Sequence, residues 1–406
     1  MADHETQDEV PSLTARILRS IRRGPHNPRD ERERMWVVAN NFVLHFRPVR
    51  LPAKSLTYTH TFGLGGSSFM LVLLLVATGV LLMFGYEPAP GDAHESIVAL
   101  QRDLLFGRFV RSIHYWSANF LILVLLLHIL RTFFTGAYFE PRQFNWVIGL
   151  GLLVCVLASN FTGYLLPWDQ LSYWAITIST GMLEYVPVVG GWLESVILGG
   201  PEISQSTLIY FYTLHTTLLP VAIFVLMAFH FWRVRKAGGV VVPRSPEQEV
   251  ESRPEKVLAL PNLIYREFVV AMVLIAFVVL FSAIFGATLD EMANPGMSPN
   301  PAKPPWYFVG LQELLLHFHP TFAVLVLPLI ASVALLAIPY VSYDQDTSGI
   351  LFASRAGRRF AGAAAGATAV ITTILVVLDE YLIDFGAWLP WLPNVVSLSL
   401  IHISEP

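Results

Sequence analysis

Seven stretches of this chain, at roughly 62–86, 110–135, 144–168, 207–232, 264–287, 321–342 and 361–385, are long and apolar enough to cross a membrane. A hydrocarbon core of about 30 Å offers no water to satisfy backbone N–H and C=O groups, so such segments must be helical. The expected fold class is therefore all-α transmembrane. Apolar residues make up 54% of the 406 positions and charged residues 14%, against about 25% charged in an average soluble domain. The formal net charge of −4 gives no reason to expect nucleic acid as a partner. The single cysteine, Cys155, excludes a disulfide framework, a cysteine zinc site and a cysteine-ligated iron–sulfur cluster within this chain.

Loop charges orient the chain. The first 57 residues are polar and rich in arginine, ending in Arg47, Arg50 and Lys54, and no cleavable signal peptide is expected among them. The loop between the fourth and fifth stretches carries Arg233, Arg235, Lys236, Arg244, Arg253, Lys256 and Arg266, and the next loop on that side adds Arg355, Arg358 and Arg359. Residues 169–206 hold no lysine or arginine, and residues 288–320 hold only Lys303. Arg102 and Arg108 make the first outer loop less clean. The positive-inside rule then places the N-terminus in the cytoplasm of a cell with a multi-pass inner membrane protein.

The expected organisation is a basic tail (1–57), a four-span unit (58–236), a linker (237–262), a three-span unit (263–392) and an atypical tail (393–406). The only low-complexity tract, Ala361–Ala369, is rich in small residues that permit close helix packing.

Two histidine pairs lie inside these stretches: His114 with His128, and His215 with His230. At about 1.5 Å per residue each pair spans roughly 21–22 Å along a helix. At about 100° per residue, 14 residues return within about 40° of the starting face and 15 within about 60°. Two such helices side by side form two bis-histidine sites, one above the other, as needed to hold two haems across a membrane. Buried ionisable residues in spans are expensive and usually functional, and four of them in matched pairs outweigh simple packing. Glycines repeat the period: Gly65 and Gly79 are 14 apart, as are Gly149 and Gly163. Without a Cβ they let a flat macrocycle approach the backbone.

Arg111 precedes His114 by three and Arg131 follows His128 by three, where each can anchor at the interface or pair with a propionate carboxylate. Pro220 is expected to kink its helix, which offers a reason for the extra residue between His215 and His230.

Five segments carry a resemblance: GLGGSSFMLVLLLVATG (63–79), RSIHYWSANFLILVLLLHILR (111–131), GYLLPWDQLSYWA (163–175), the segment from His215 to Lys236, and PPWYF (304–308). Over roughly residues 55–345 the chain resembles cytochrome b, the membrane subunit of cytochrome bc and b6f quinol-oxidising complexes. The 14- and 15-residue histidine steps, LPWDQ and QSTLIYFYTLHT are similar to the plastid-type variant. Helix directions put His114 and His215 near the outer face and His128 and His230 near the cytoplasmic face. The resemblance makes these the ligands of the low-potential and high-potential haem irons respectively.

The resemblance further implies two quinone sites. The outer, oxidising site includes Tyr164, Trp174, Ala175, Pro304, Trp306 and Tyr307. The inner, reducing site is lined by Arg235, Arg266 and Glu267. Implied partners are a Rieske iron–sulfur protein, a cytochrome c-type subunit, membrane lipid and a second copy of the chain. The implied activity is electron bifurcation from quinol coupled to proton translocation.

Three features depart from the family pattern. The glutamate of the outer-site loop is Pro305, which has no ionisable group, so another group must accept the proton. Glu313 is the best candidate, with His317 and His319 nearby, and burial is expected to raise its titration. This loss suggests an altered quinone, with menaquinone as a candidate. Gly63 stands where plastid-type proteins attach a third haem through cysteine, so no covalent third haem is expected. The chain also joins four-span and three-span units that plastid-type complexes keep separate. The end, SLSLIHISEP, shows no family character, so no function is expected of His402.

Two other readings stay open at this point. One is a dihaem, quinone-reactive membrane anchor of another respiratory oxidoreductase. Such anchors typically have four or five spans and lack the Pro-Pro-Trp-Tyr region. The other is a transporter or scaffold without redox chemistry, for which a reduced-minus-oxidised spectrum would lack a b-type α-band.

Overall fold

A computed structural model describes residues 14, 28–41, 44–242, 255–299, 304–341, 349–352 and 354–381. Among these, six helices are long and apolar enough to cross a membrane. They are α2 (Leu64–Met83), α4 (Gly107–Phe134), α5 (Gln143–Leu165), α8 (Gln205–Lys236), α9 (Ala259–Ile284) and α11 (Phe322–Tyr340). The seventh expected stretch begins inside α12 (Arg355–Tyr381), and its residues after 381 lie outside the described ones, as does the tail with His402. The fold is all-α and transmembrane, with one two-stranded ladder among the described residues.

The core lies where α2, α4, α5, α8 and α9 meet. Leu71, Val72, Ile113, Leu121, Ile122, Val156, Ile223, Met227 and Val278 are buried together there. Elsewhere the helices turn apolar side chains outward, as with Leu218, Val221 and Val225 on α8, an arrangement that lipid tolerates. Some hydroxyls within the spans are satisfied locally: Ser68 donates to the Leu64 carbonyl (3.0 Å) and Thr132 to that of His128 (2.8 Å), whereas the buried hydroxyls of Ser117, Ser159 and Ser282 have no partner among the described residues.

α8 is not a regular α-helix. Residues Leu214–Leu218 form a π-turn, with the N–H of Leu219 bonded to the carbonyl of Leu214. Pro220 follows and has no N–H to offer the carbonyl four residues back. A π-turn takes up one extra residue, so the 15-residue step from His215 to His230 presents the two side chains as a 14-residue step does elsewhere. The deformation expected at Pro220 thus falls in the turn just before it, and it contains His215. Phe322–Val326, ahead of Pro328 in α11, repeats the device.

At one end of the bundle, α3 (Ala93–Arg102), α6 (Gln170–Gly181) and α7 (Gly190–Leu198) cap the spans. A second cluster is buried there, built from Ala93, Leu165, Trp168, Ile176, Leu208 and Phe211. Asp169 caps α6 by accepting from the Ser172 N–H at 2.9 Å, while its own N–H meets the Ser172 hydroxyl at 3.1 Å. At the other end, α1 (Glu31–Asn40) packs with β1 (Arg50–Pro52) and β2 (Lys256–Leu258), which pair antiparallel with Leu51 opposite Val257. Val38, Leu51 and Ala259 form a third buried cluster. The N-terminal segment and the approach to α9, some 200 residues apart, are therefore one structural element.

Candidate functional site

α2 lies along α4, and α5 along α8. This brings each period-14 glycine to a histidine of the neighbouring helix. A Cβ built on Gly79 would lie 3.2 Å from His114 Cε1, on Gly65 3.5 Å from His128 Cε1, and on Gly149 3.7 Å from His230 Cε1. On Gly163 it would lie 2.7 Å from His215 Nδ1, closer than real Cβ contacts allow. All four histidines and all four glycines form one repeating pattern, a pair of His–Gly contacts near each end of the bundle.

Histidines from different helices also meet. The rings of His114 and His215 are 6.1 Å apart, centroid to centroid, and steeply inclined at 70°. His128 and His230 together line a cavity of about 1260 Å³ with Gly65 and Gly149. At the His114–His215 end the Nδ1 sides are engaged by the protein. His114 Nδ1 lies 3.0 Å from the Thr78 hydroxyl, and His215 Nδ1 lies 2.8 Å from the Ser159 carbonyl. A histidine that donates from Nδ1 keeps Nε2 as its metal-binding nitrogen. The buried Nδ1 of His230 makes no hydrogen bond. Thr78 and Ser159 were missed in the sequence, although Thr78 immediately precedes Gly79 and Ser159 lies four residues before Gly163. Imidazoles brought together in pairs, those of one pair held from behind, beside glycines that open the helix surface, fit b-type haem.

The two arginines are buried and bound by the protein. Arg111 donates to Ala287 O (3.1 Å) and Thr288 O (2.6 Å), tying α4 to the loop after α9. Arg131 donates through Nε to His60 O (2.9 Å), and its Nη2 lies 3.1 Å from His60 Nε2. His60 Nε2 is 2.5 Å from the Val241 carbonyl, a contact that requires the proton on that nitrogen. Burial, and then the Arg131 charge, lower the titration of His60 below its ordinary value.

At the end that carries His114, the LPWDQ motif grips the loop after α9. The N–H of Gln170 donates to Glu291 O (2.8 Å), and Ala293 donates to Trp168 O (3.1 Å). Asn294 donates to the Gln170 side chain (2.6 Å), which in turn donates to Met297 O. Trp174 Nε1 reaches Asn294 O at 3.2 Å. Asp290 in that loop is pushed up by desolvation, then by Asp169 and Glu291. The 304–308 segment is joined to α4 and α5. Trp306 Nε1 donates to Asn119 Oδ1 (2.9 Å), Tyr307 packs on the main core, and Phe308 meets Phe161 edge-on. Tyr164 lies within electrostatic range of Tyr307 and Asp169. The structure thus brings together Tyr164, Trp306 and Tyr307, with Trp174 bound to the same loop system and Ala175 following it on α6.

Glu313 corrects an expectation. It lies on α10 (Val309–His317) with its side chain exposed, where burial was expected. His319 is also exposed, its ring 5.9 Å from Tyr185, and the side chain of His317 lies outside the described residues.

At the opposite end, Arg266 and Glu267 line the large cavity with His128 and His230, but Arg235 does not. Arg235 is turned toward the N-terminal segment and donates to His45 O, and Arg266 also donates to Leu56 O. The cation beside Glu267 is instead Arg47, whose Nε lies 3.0 Å from each carboxylate oxygen. In the sequence Arg47 reads only as a basic interface anchor. Gly63, also in the wall, has φ +65°, and a Cβ there would come 3.1 Å from Val270 Cγ1. Glycine suits this position on both counts.

Comparison with known proteins agrees with this architecture. Residues 50–238 match the family described as cytochrome b/b6/petB. Cytochrome b6 of Oltmannsiellopsis viridis is 39% identical over 209 residues, covering 52% of this chain and 94% of the relative. That of Chlamydomonas reinhardtii is 38% identical with the same coverage, and that of Tupiella akineta 43% identical over 175 residues, 43% of this chain and 81% of the relative. In fold, a chain of a hyperthermophilic respiratory Complex III is similar at a TM-score of 0.70 and 23% identity, covering 90% of this chain and 94% of that one. With most of each relative's length matched and the His–Gly pattern within the matched region, the chain belongs to the cytochrome b family of membrane electron-transport proteins.

Proposed function

We propose that this chain holds two b-type haems, between His114 and His215 and between His128 and His230, as the quinol-oxidising subunit of a bc-type complex. The observation that carries this is the fourfold His–Gly pattern, in which each imidazole lies against a glycine of the adjacent helix. When bound, such haems supply one-electron transfer at an iron whose potential the surrounding protein tunes. The chain's own residues hold and orient the imidazoles: Thr78 and the Ser159 carbonyl fix the ring nitrogens at one end. Arg131, three residues from His128, lines the cavity and would offer a propionate its remaining guanidinium donor, while Arg111, three residues from His114, gives its Nη donors to Ala287 O and Thr288 O.

The outer end is the quinol-oxidising site, with Tyr164, Trp306 and Tyr307 forming its wall. Oxidation of one quinol releases two electrons and two protons. One electron leaves to a Rieske iron–sulfur partner and the other passes inward across the chain. Pro305 cannot accept a proton, and Glu313 takes that role as an exposed carboxylate reached through water. The inner site beside His128 and His230 returns electrons to quinone, with Arg266 and Glu267 in its wall. The working assembly is a homodimeric complex with a cytochrome c-type subunit in the inner membrane, the N-terminus in the cytoplasm. The four-span unit, 58–236, carries the haems, and the three-span unit completes the outer site.

Haem extraction from the purified chain is expected to yield two b-type haems per polypeptide. A yield of one, or a reduced spectrum without a b-type α-band, contradicts the proposal. Trp306→Phe removes the donor to Asn119 and is expected to slow quinol-driven reduction by about 10-fold with haem spectra unchanged. Glu313→Gln is expected to lower quinol oxidation by about 10²-fold, with partial recovery on adding Pro305→Glu. An unchanged rate from pH 6 to 9 in Glu313→Gln would remove that residue from the reaction.

A further inference from the structure

We infer that Arg47 is the residue that binds the quinone head group at the inner site, through its two Nη groups; this deepens the reading above and rests on it. Arg47 comes from the N-terminal segment, outside every span, yet it lines the same cavity as His128, His230 and Glu267. A guanidinium usually grips a carboxylate with two nitrogens in a fork. Here Nε alone serves both oxygens of Glu267, at 3.0 Å each. Among the described residues, neither Nη group of Arg47 has a hydrogen-bond partner. The guanidinium carbon also lies 5.5 Å from the centre of the Phe231 ring, next to His230 in sequence. Glu267 and Phe231 therefore hold the guanidinium from two sides and leave its donors uncommitted.

Half-buried charged donors in a mostly apolar wall call for an acceptor. A quinone supplies one: a flat apolar ring with carbonyl oxygens at its edge. Tyr58, Phe62 and Tyr265 in the same wall give that ring apolar surface. Arg235 cannot take the role from where it stands, since it donates to the carbonyl of His45, two residues before Arg47. It anchors the segment that carries the binding arginine. The ladder between β1 and β2 holds that segment against the start of α9, where Arg266 and Glu267 lie.

The test uses the purified complex with two probes, a short-chain 1,4-naphthoquinone and a short-chain 1,4-benzoquinone, each measured for binding by equilibrium dialysis. Arg47→Gln is expected to weaken one of the two binding classes by about 10-fold or more for the preferred probe, since a charge-assisted hydrogen bond is lost. Arg47→Lys keeps the charge without the planar fork and should recover part of the loss. Binding within twofold of the parent in Arg47→Gln overturns the assignment. An azido derivative of the same quinone, photolysed on the parent complex, is expected to label the peptide spanning residues 45–58. Label confined to other segments overturns it as well, and this measurement stands even if the Arg47→Gln complex does not assemble. Haem stoichiometry separates the two levels of the argument. Two haems per chain with no effect at Arg47 refutes only this inference, whereas fewer than two refutes the wider reading beneath it.

Discussion

A His128→Ala chain is expected to retain about half of the parent's haem, with the signal that remains belonging to the His114–His215 site. His128 stands opposite Gly65, and with His230 it lines the large cavity, so its imidazole is the α4 contribution to that site. Alanine leaves no imidazole on α4 at this level, so His230 of α8 alone would remain to hold a haem there. The other pair lies about 21 Å away along α4, at 14 residues and about 1.5 Å each. It draws its orienting bonds from Thr78 and Ser159, neither of which touches His128. The two sites are therefore separable, and mutations this far apart act independently. Haem quantification together with low-temperature spectra of parent and mutant checks the result. Unchanged content, or loss of both signals in a chain that still assembles, contradicts the pairing.

Gly163→Val produces the complementary loss. A Cβ at this position would stand 2.7 Å from His215 Nδ1, and the two further methyl groups of valine add bulk to a place already too tight for one carbon. Either the imidazole rotates, breaking its 2.8 Å contact with the Ser159 carbonyl, or α5 moves away from α8. Overpacking of this kind costs about 1–3 kcal/mol in a well-packed interior. Its larger effect is on the ligand, whose nitrogen no longer faces His114. The chain should keep the His128–His230 haem, lose most of the other, and lose quinol-driven electron entry with it. Gly151→Ala is the matched control on the same helix. Its added methyl would meet only Leu226 Cδ1, at an ordinary 3.8 Å, so full haem content is expected. Equal behaviour of the two variants would mean that the glycines pack helices and nothing more.

These two expectations depend on features of unequal visibility in the sequence. The spans, the four histidines and the four glycines were legible because bilayer thickness and helical periodicity act on nearby residues. One dimension is enough to read them. The structure places helices over the first six expected stretches to within a few residues and sets each glycine against a histidine. The unequal histidine steps were visible as numbers, 14 and 15, but not as a shape. Only the π-turn at Leu214–Leu218 shows how the extra residue is absorbed, because that depends on which carbonyl Leu219 selects.

Contacts between distant segments could not be read in advance. Arg47 and Glu267 are 220 positions apart, and nothing local distinguishes Arg47 from the other basic residues of its segment. They meet because β1 pairs with β2, a register that tertiary packing around Val38, Leu51 and Ala259 selects. The same holds for Arg235, whose turn toward His45 leaves it out of the cavity wall, and for Glu313, whose exposure depends on which face of α10 packs inward. The sequence by itself determined which segments cross the membrane and which residues repeat along one helical face. Tertiary structure alone decided which charged side chains share a cavity, since a charge at a helix end is equally stable in water, in an ion pair or against a ligand until the packing of its neighbours chooses among them.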